Sequence, residues 1–299
     1  MSIQSLSIVV PGKKCINNCK FCVSRTHEDI VYKDRITGSF GEWGSPAYLR
    51  YQKALRYAKD LGCTTAMLTG ECEPQQNLPF VKNFLSMSNN NSNTRESHSI
   101  FNNIEIQTTG KGLDKDTIFD LAERGVNTFS ISVSSFDDEE NNRIIGVPYE
   151  SMDKIRLVEL CKNIKDAGCL LRMSLNLNKA FYHIQDTAGL LRNCKQVYDA
   201  DQVTLRKLYK SGKDCEQDNW IKSHCDAYKD DDYFQYIVMN GTRLETLPYG
   251  MAKYSLEGVG TVADDDCMAK NNNDEIRYLI LRPDCHLYTR WDDPASIIF

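Results

Sequence analysis

The sequence predicts an α/β fold: a parallel sheet built from six βα units, followed by a C-terminal α+β extension. Three observations carry this. Short apolar, β-branched runs alternate with longer amphipathic stretches over the first 210 residues. Gly62, Gly125 and Gly168 each stop a helix just ahead of the next strand. From Ser211 onward the alternation breaks. Residues 1–210 are therefore read as the core, and residues 211–299 as an extension that caps it and sets the substrate. Six units are too few to close an eight-fold barrel.

The elements follow in order. Leu6–Val10 (LSIVV) reads as a buried strand ended by Pro11-Gly12. Ser45-Pro46 opens a helix with a capping side chain and a proline at its first position. Tyr48, Tyr51, Leu55, Ala58 and Leu61 then fall on one apolar face, which reads as core packing. Thr65–Thr69 is the second strand, and a helix covers Pro79–Met87. Residues 88–99 (SNNNSNTRESHS), including His98, are polar and low in complexity, as in a surface loop. Asn103–Thr108 is the third strand, Thr128–Val133 the fourth, Leu170–Leu177 the fifth and Gln202–Leu208 the sixth. Helices separate them at Asp114–Gly125, Ser151–Ala167 and Asp186–Asn193. Beyond Ser211 come helices at Gln217–Lys229 and Asp231–Met239, and strands at Thr242–Leu247 and Tyr254–Val262. A hairpin of Ile276–Arg282 with His286–Trp291 follows.

Composition narrows the class. Net charge is −5 with no long basic run, which argues against a nucleic-acid-coating surface. No apolar run approaches membrane-spanning length, so no membrane partner is expected. The opening MSIQSLSIVVPGKK lacks the pattern of a secretory signal. With 12 cysteines in a large chain that shows no export signal, reduced thiols in the cytoplasm are the expectation.

The chemistry concentrates in Cys15-Ile16-Asn17-Asn18-Cys19-Lys20-Phe21-Cys22, a C-x3-C-x2-C spacing. It follows the first strand, where a parallel sheet places its functional loops. Three thiolates can hold three corners of a [4Fe–4S] cube, leaving the fourth iron open to a small molecule. The alternative is a non-catalytic zinc- or cluster-binding module. A closed zinc site needs a fourth ligand, and His27 is the nearest candidate.

The motif resembles the signature of the radical S-adenosylmethionine (SAM) superfamily. The resemblance covers roughly residues 5–210 and implies a partial (β/α)6 barrel, a [4Fe–4S] cluster on Cys15, Cys19 and Cys22, and SAM on the open iron. It further implies an enzyme that cleaves SAM reductively to a 5′-deoxyadenosyl radical. Such an enzyme takes its electron from a flavodoxin- or ferredoxin-like donor and acts on a small-molecule or peptide substrate. By the same resemblance Phe21 lies near the adenine. Thr69–Pro74 (TGECEP) partly matches the family's SAM-binding segment: Gly70, Glu73 and Pro74 fit, and Cys72 replaces a glycine. Either Glu71 or Glu73 would face SAM. Thr108, at the end of the third strand, and Ser132, on the fourth, are further cofactor-side candidates. Ser130, Ser132 and Ser134 share one strand face. Arg172 either binds the carboxylate or ribose side of SAM or pairs with Glu105. Arg206 and Lys207 point to opposite faces, so at most one reaches the interior to orient an anionic substrate.

The last ninety residues resemble a degenerate form of the family's auxiliary-cluster ("twitch") region. Cys267 stands at its first cysteine, Cys285 at the turn glycine and Arg290 at the final cysteine. The 17 residues between Cys267 and Cys285 exceed the usual spacing. The stretches ISVSSFDDEENNRIIG and WDDPASIIF also resemble viperin-type enzymes, which act on a nucleoside triphosphate.

Overall fold

The computed structural model describes residues 3, 5–12, 14–26, 45–89, 99–147, 154–183, 186–246, 252–264, 276 and 278–299. His27, His98 and Cys267 lie outside them.

Strand β1 (Ser5–Val9) leads into the cysteine loop, which runs into the short helix α1 (Val23–Thr26). Helix α2 (Pro46–Asp60) starts as expected: the Ser45 side chain accepts from the Tyr48 N–H, and proline follows it. The alternation then runs β2 (Thr65–Thr69), α3 (Leu78–Asn89), β3 (Asn103–Thr108), α4 (Lys115–Glu123) and β4 (Thr128–Val133). After α5 (Asp138–Ile144) and α6 (Leu157–Asp166) come β5 (Leu170–Asn176), α7 (Lys179–Tyr182), α8 (Thr187–Tyr198) and β6 (Gln202–Arg206). Helix α5 falls where the sequence reading placed none. Asp137 caps it, accepting from the Glu140 N–H.

The extension differs in two places from its expected elements. Two helices form as expected, but the break between them lies at Cys225-Asp226 and not at residue 230: α9 (Glu216–His224) stops, and α10 (Ala227–Asn240) starts after Asp226, whose carboxylate accepts from Tyr228 and Lys229 N–H. The strand expected over Tyr254–Val262 is a hairpin. After β7 (Thr242–Thr246), strands β8 (Ala252–Leu256) and β9 (Val259–Asp264) pair antiparallel across Glu257-Gly258. Both turn residues have positive φ, 52° and 75°, the backbone of a tight hairpin turn. The last pair, β10 (Tyr278–Leu281) and β11 (Leu287–Tyr288), forms the hairpin read from the sequence. Cys285 adopts φ 68° in its turn, a conformation that favours glycine.

All eleven strands form one sheet in the order β11-β10-β1-β2-β3-β4-β5-β6-β9-β8-β7. Strands β1 to β6 are parallel, as expected for a partial (β/α)6 barrel, and the sheet is not closed. The extension contributes to both sides: β10 pairs parallel with β1, and β9 pairs parallel with β6.

Strand alternation sorts the side chains. Leu6, Ile8, Leu68, Ile104, Ile106, Phe129, Ile131, Met173 and Leu205 face the helices, and none is more than 1% exposed. Each such side chain contributes roughly 1.5–3 kcal/mol on burial. The opposite face carries Ser5, Ser7, Thr69, Gln107, Arg172, Thr204 and Arg206, which line a cavity of about 680 Å³. Net gains from hydrogen bonds there are nearer 1 kcal/mol each. The apolar layer between sheet and helices therefore holds the fold, and the inner face is left to chemistry.

Candidate active site

The cysteine loop is fixed by side chains from later elements. Asn17 is 3% exposed, and its Nδ2 donates to Glu73 Oε1 at 2.7 Å and to Thr109 Oγ1 at 2.9 Å. Gln76 binds the loop backbone twice: its Oε1 accepts from Ile16 N–H at 3.0 Å, and its Nε2 donates to Lys14 O at 2.9 Å. Arg25 Nη2 donates to Asn17 O at 3.0 Å, and Lys111 Nζ to Ile16 O at 3.4 Å. On the other side, Asn18 and Lys20 N–H groups donate to the Ile145 and Ile144 carbonyls at 3.0 and 3.2 Å.

That last contact needs a glycine. Gly146 has φ +76°, and a Cβ there would sit 2.5 Å from the Asn18 carbonyl oxygen. Gly70, at φ +140°, approaches β1 so closely that a Cβ would lie 3.1 Å from Val10 N. The loop between strands thus holds the cysteines by backbone contacts that side chains would block.

Cys15, Cys19 and Cys22 are half-buried free thiols on this loop. Burial raises the Cys15 pKa. It raises that of Cys19 well above the thiol range, with help from Cys22, Glu73 and Cys15 nearby. The Asn17 N–H donates to Cys15 Sγ at 3.4 Å. A single metal ion needs its donors within about 2.0–2.3 Å of one point. Among the described residues no three Cys, His, Asp or Glu side chains meet in that way. A four-iron cube takes one thiolate at each of three separate corners, and three cysteines on one short loop are a donor set of that kind.

The remaining expected residues divide. Glu73 is 6% exposed and fully used: Thr109 N–H and Oγ1 donate to it at 3.0 Å each, Gln75 Nε2 at 3.1 Å, and Thr108 Oγ1 also donates to it. Thr108 belongs to this same brace. Gly70 and Glu71 instead line the cavity. Glu71 pairs with Arg282 Nη1 at 3.5 Å. Ser132 is half-buried on the inner face of β4, in register with Ser174 of β5. Arg172 lines the cavity, pairs with Glu105, and donates from Nε to Gln202 Oε1 at 2.7 Å. Of the two β6–end cations, Arg206 faces the cavity, while Lys207 pairs with Asp231 outside it and lies 4.8 Å from the Phe234 ring centre. Cys72 is buried, its thiol pushed up to about 12 by burial, and donates to Val10 O at 3.6 Å.

Several contributors escaped the sequence reading. Phe21 packs against Trp220 of α9 with ring centroids 5.8 Å apart, and Trp220 stacks on His224 at 4.3 Å. Lys213 Nζ donates to Thr26 O at 3.0 Å, so the extension fastens to the end of the cysteine loop. Arg282, 4% exposed, donates to Trp291 O at 3.0 Å and lies 5.6 and 5.4 Å from the Tyr288 and Trp291 ring centres. Trp291 thereby becomes a cavity wall. The clamp from Ile144 to Gly146 had a visible signal, Asp137 three residues before Glu140, which marks a helix start. The hairpin residues Arg282 and Trp291 had none. Cys285 is 3% exposed and donates to Ala47 O at 3.6 Å, and Arg290 pairs with Asp292.

A family model described as the radical SAM superfamily matches residues 9–177. Among solved structures, Streptococcus suis SuiB bound to precursor peptide SuiA is 16% identical with a TM-score of 0.59, covering 97% of this chain and 60% of that one. SuiB bound to S-adenosylmethionine is 14% identical with a TM-score of 0.59, covering 97% and 61%. The anSMEcpe structure with bound AdoMet and Cp18Cys peptide is 10% identical with a TM-score of 0.52, covering 97% and 74%. The likeness is one of fold, and the chain spans about three-fifths of the length of the SuiB chains. No match to a curated protein was found. Among the described residues no helix is long and apolar enough to cross a membrane.

Proposed function

The chain belongs to the radical SAM superfamily of enzymes, which work with a [4Fe–4S] cluster and S-adenosylmethionine, and on that premise we propose that it cleaves SAM reductively to act on a substrate held in the barrel cavity. Cys15, Cys19 and Cys22 hold the cluster. When bound, the cluster and SAM supply an electron and a 5′-deoxyadenosyl radical. The chain's own residues bind, orient and shield. The observation that carries this reading is the braced cysteine loop beside a cavity walled by polar side chains.

The two candidate carboxylates take separate roles. Glu73 has its oxygens filled by Asn17, Thr108, Thr109 and Gln75, so it serves as a brace. Glu71 lines the cavity and is the one that meets the SAM amino group, alongside the Gly70 backbone. Phe21, backed by Trp220, flanks the adenine. Ser132 offers a hydroxyl on the same inner face. Arg172, spent on Glu105 and Gln202, stiffens the wall. The reading also requires a one-electron donor of flavodoxin or ferredoxin type and a reducing compartment such as the cytoplasm. The described cysteines are all free, which supports that compartment. The substrate is a small molecule or a peptide.

The test is anaerobic reconstitution with iron and sulfide. A brown protein that releases 5′-deoxyadenosine from SAM and dithionite, against a Cys15→Ala control that does not, is the expected result. A colourless zinc protein, or no 5′-deoxyadenosine above the control, overturns it.

A further inference from the structure

Lys111 carries a positive charge against the cysteine loop. Gly110 and Gly112, at φ +90° and +77°, turn the chain on either side of it. Lys111 itself is 8% exposed. An ammonium has three donors. Among the described residues one is used, from Nζ to Ile16 O at 3.4 Å, and no carboxylate pairs with it. Glu73, joined to Lys111 through Gln75 Nε2, takes its own hydrogen bonds from neutral groups. A buried lysine without a counter-charge is rare, because a charge taken out of water needs a partner.

The loop itself shares the sign. Residues 11–26 hold Lys13, Lys14, Lys20 and Arg25 and no acid, in a chain whose net charge is −5. Arg25 Nη2 donates to Asn17 O at 3.0 Å, so a second cation is fastened to the loop backbone one residue along from the first. Glu73 sets one negative charge against these two. Three thiolates and a cube that takes up an electron are an anion of the kind this loop would meet, and a cluster's potential follows its net charge and surroundings.

We propose that Lys111 is a counter-charge to the cluster and eases its one-electron reduction. The external donor gives one electron to the cluster; no bond forms or breaks, and no proton moves. The cluster's negative charge grows by one, and a fixed ammonium stabilises that product more than the starting state. A unit charge roughly 10 Å from a redox centre, at an effective dielectric of about 20, shifts a one-electron equilibrium about tenfold. The carboxylate of SAM is the competing partner, and would make Lys111 a binding residue instead. The proposal rests on the reading of Cys15, Cys19 and Cys22 as cluster ligands, and adds a residue that sets the potential.

Anaerobically reconstituted wild type, Lys111→Gln, Lys111→Met and Lys111→Arg are taken through a redox titration followed by electron paramagnetic resonance, without and with SAM. Removing the charge should lower the reduction equilibrium constant about tenfold, a midpoint about 59 mV more negative for one electron. Lys111→Arg, which keeps the charge, should stay near wild type. Lys115→Met removes an exposed charge at the start of α4, where solvent screens it, and should change nothing. A wild-type potential in Lys111→Gln and Lys111→Met, or an equal fall in Lys111→Arg, overturns the proposal. Weaker SAM binding at an unchanged SAM-free potential gives Lys111 to the SAM carboxylate and also overturns it. So does failure of both charge-free variants to take up iron while Lys111→Arg loads, since Lys111 then only anchors the loop. A colourless wild type sinks the proposed function and this proposal with it; a brown one that releases 5′-deoxyadenosine while the variants keep its potential sinks this proposal alone.

Discussion

Asn17 and Glu73, separated by 56 positions in the chain, meet in a 2.7 Å hydrogen bond between buried side chains. The cysteine loop is thereby tied to the turn after β2, and through Thr109 to the end of β3. Three successive strand ends act as one unit.

Asn17→Ala removes both ties from the loop side. It should cost about 1–3 kcal/mol, the scale for a buried acceptor that loses its donor. Urea unfolding would show the loss, and iron bound after reconstitution should fall with it. Unchanged stability together with full iron loading would sink the idea that this bond positions the loop.

Gly146→Ala and Gly168→Ala form a matched pair. Both glycines have φ +76°, but a Cβ at Gly168 meets nothing within 4 Å, whereas one at Gly146 would lie 2.5 Å from the Asn18 oxygen. The left-handed backbone alone costs roughly 1–2 kcal/mol for a non-glycine residue. Gly168→Ala should lose about that much, and Gly146→Ala distinctly more, with iron loading reduced only in Gly146→Ala. Equal losses in thermal unfolding would mean the contact with the cysteine loop carries no weight.

Arg172→Met removes the cation from Glu105, whose side chain is 1% exposed, and leaves it the neutral Gln107 Nε2 donor at 3.0 Å. Breaking a buried pair from one side costs about 3–5 kcal/mol. The double change Arg172→Met with Glu105→Leu should recover most of it, since both charges go together. A double-mutant cycle in denaturant reads this directly, and strict additivity would contradict the pairing.

Asp230 of α10 gives a pH signature. Burial pushes its pKa from 3.8 to about 6, while the Tyr182 hydroxyl donates to it at 2.7 Å. The folded protein therefore binds this proton more tightly than the unfolded chain. Its contribution to stability is fully present at low pH and is lost as pH rises from about 4 to about 6. Asp230→Asn should flatten the stability profile in that window relative to wild type. Parallel profiles for the two proteins would refute the assignment.

Much of this was legible in the sequence because it is local. The six parallel strands follow from β-branched runs with glycine stops, and the cysteine spacing identifies the loop. What escaped depends on distance or on a weak turn. Glu257-Gly258 is a less familiar hairpin turn than Asn-Gly, so β8 and β9 read as one strand. Arg172 allowed two partners, and only the register of β3, β4 and β5 brings Glu105 within reach. Glu71 and Glu73 are two apart and chemically identical. Their neighbours separate them, and Asn17, Thr108 and Thr109 are far away in the chain.

The division of the sheet into a greasy outer side and a hydroxyl-rich inner side has an evolutionary consequence. Swapping an inward residue such as Thr204 or Gln107 leaves the layer that keeps the protein folded intact. At inward positions outside the Arg172–Glu105 pair, the same scaffold can drift toward new compounds without first acquiring reserves of stability.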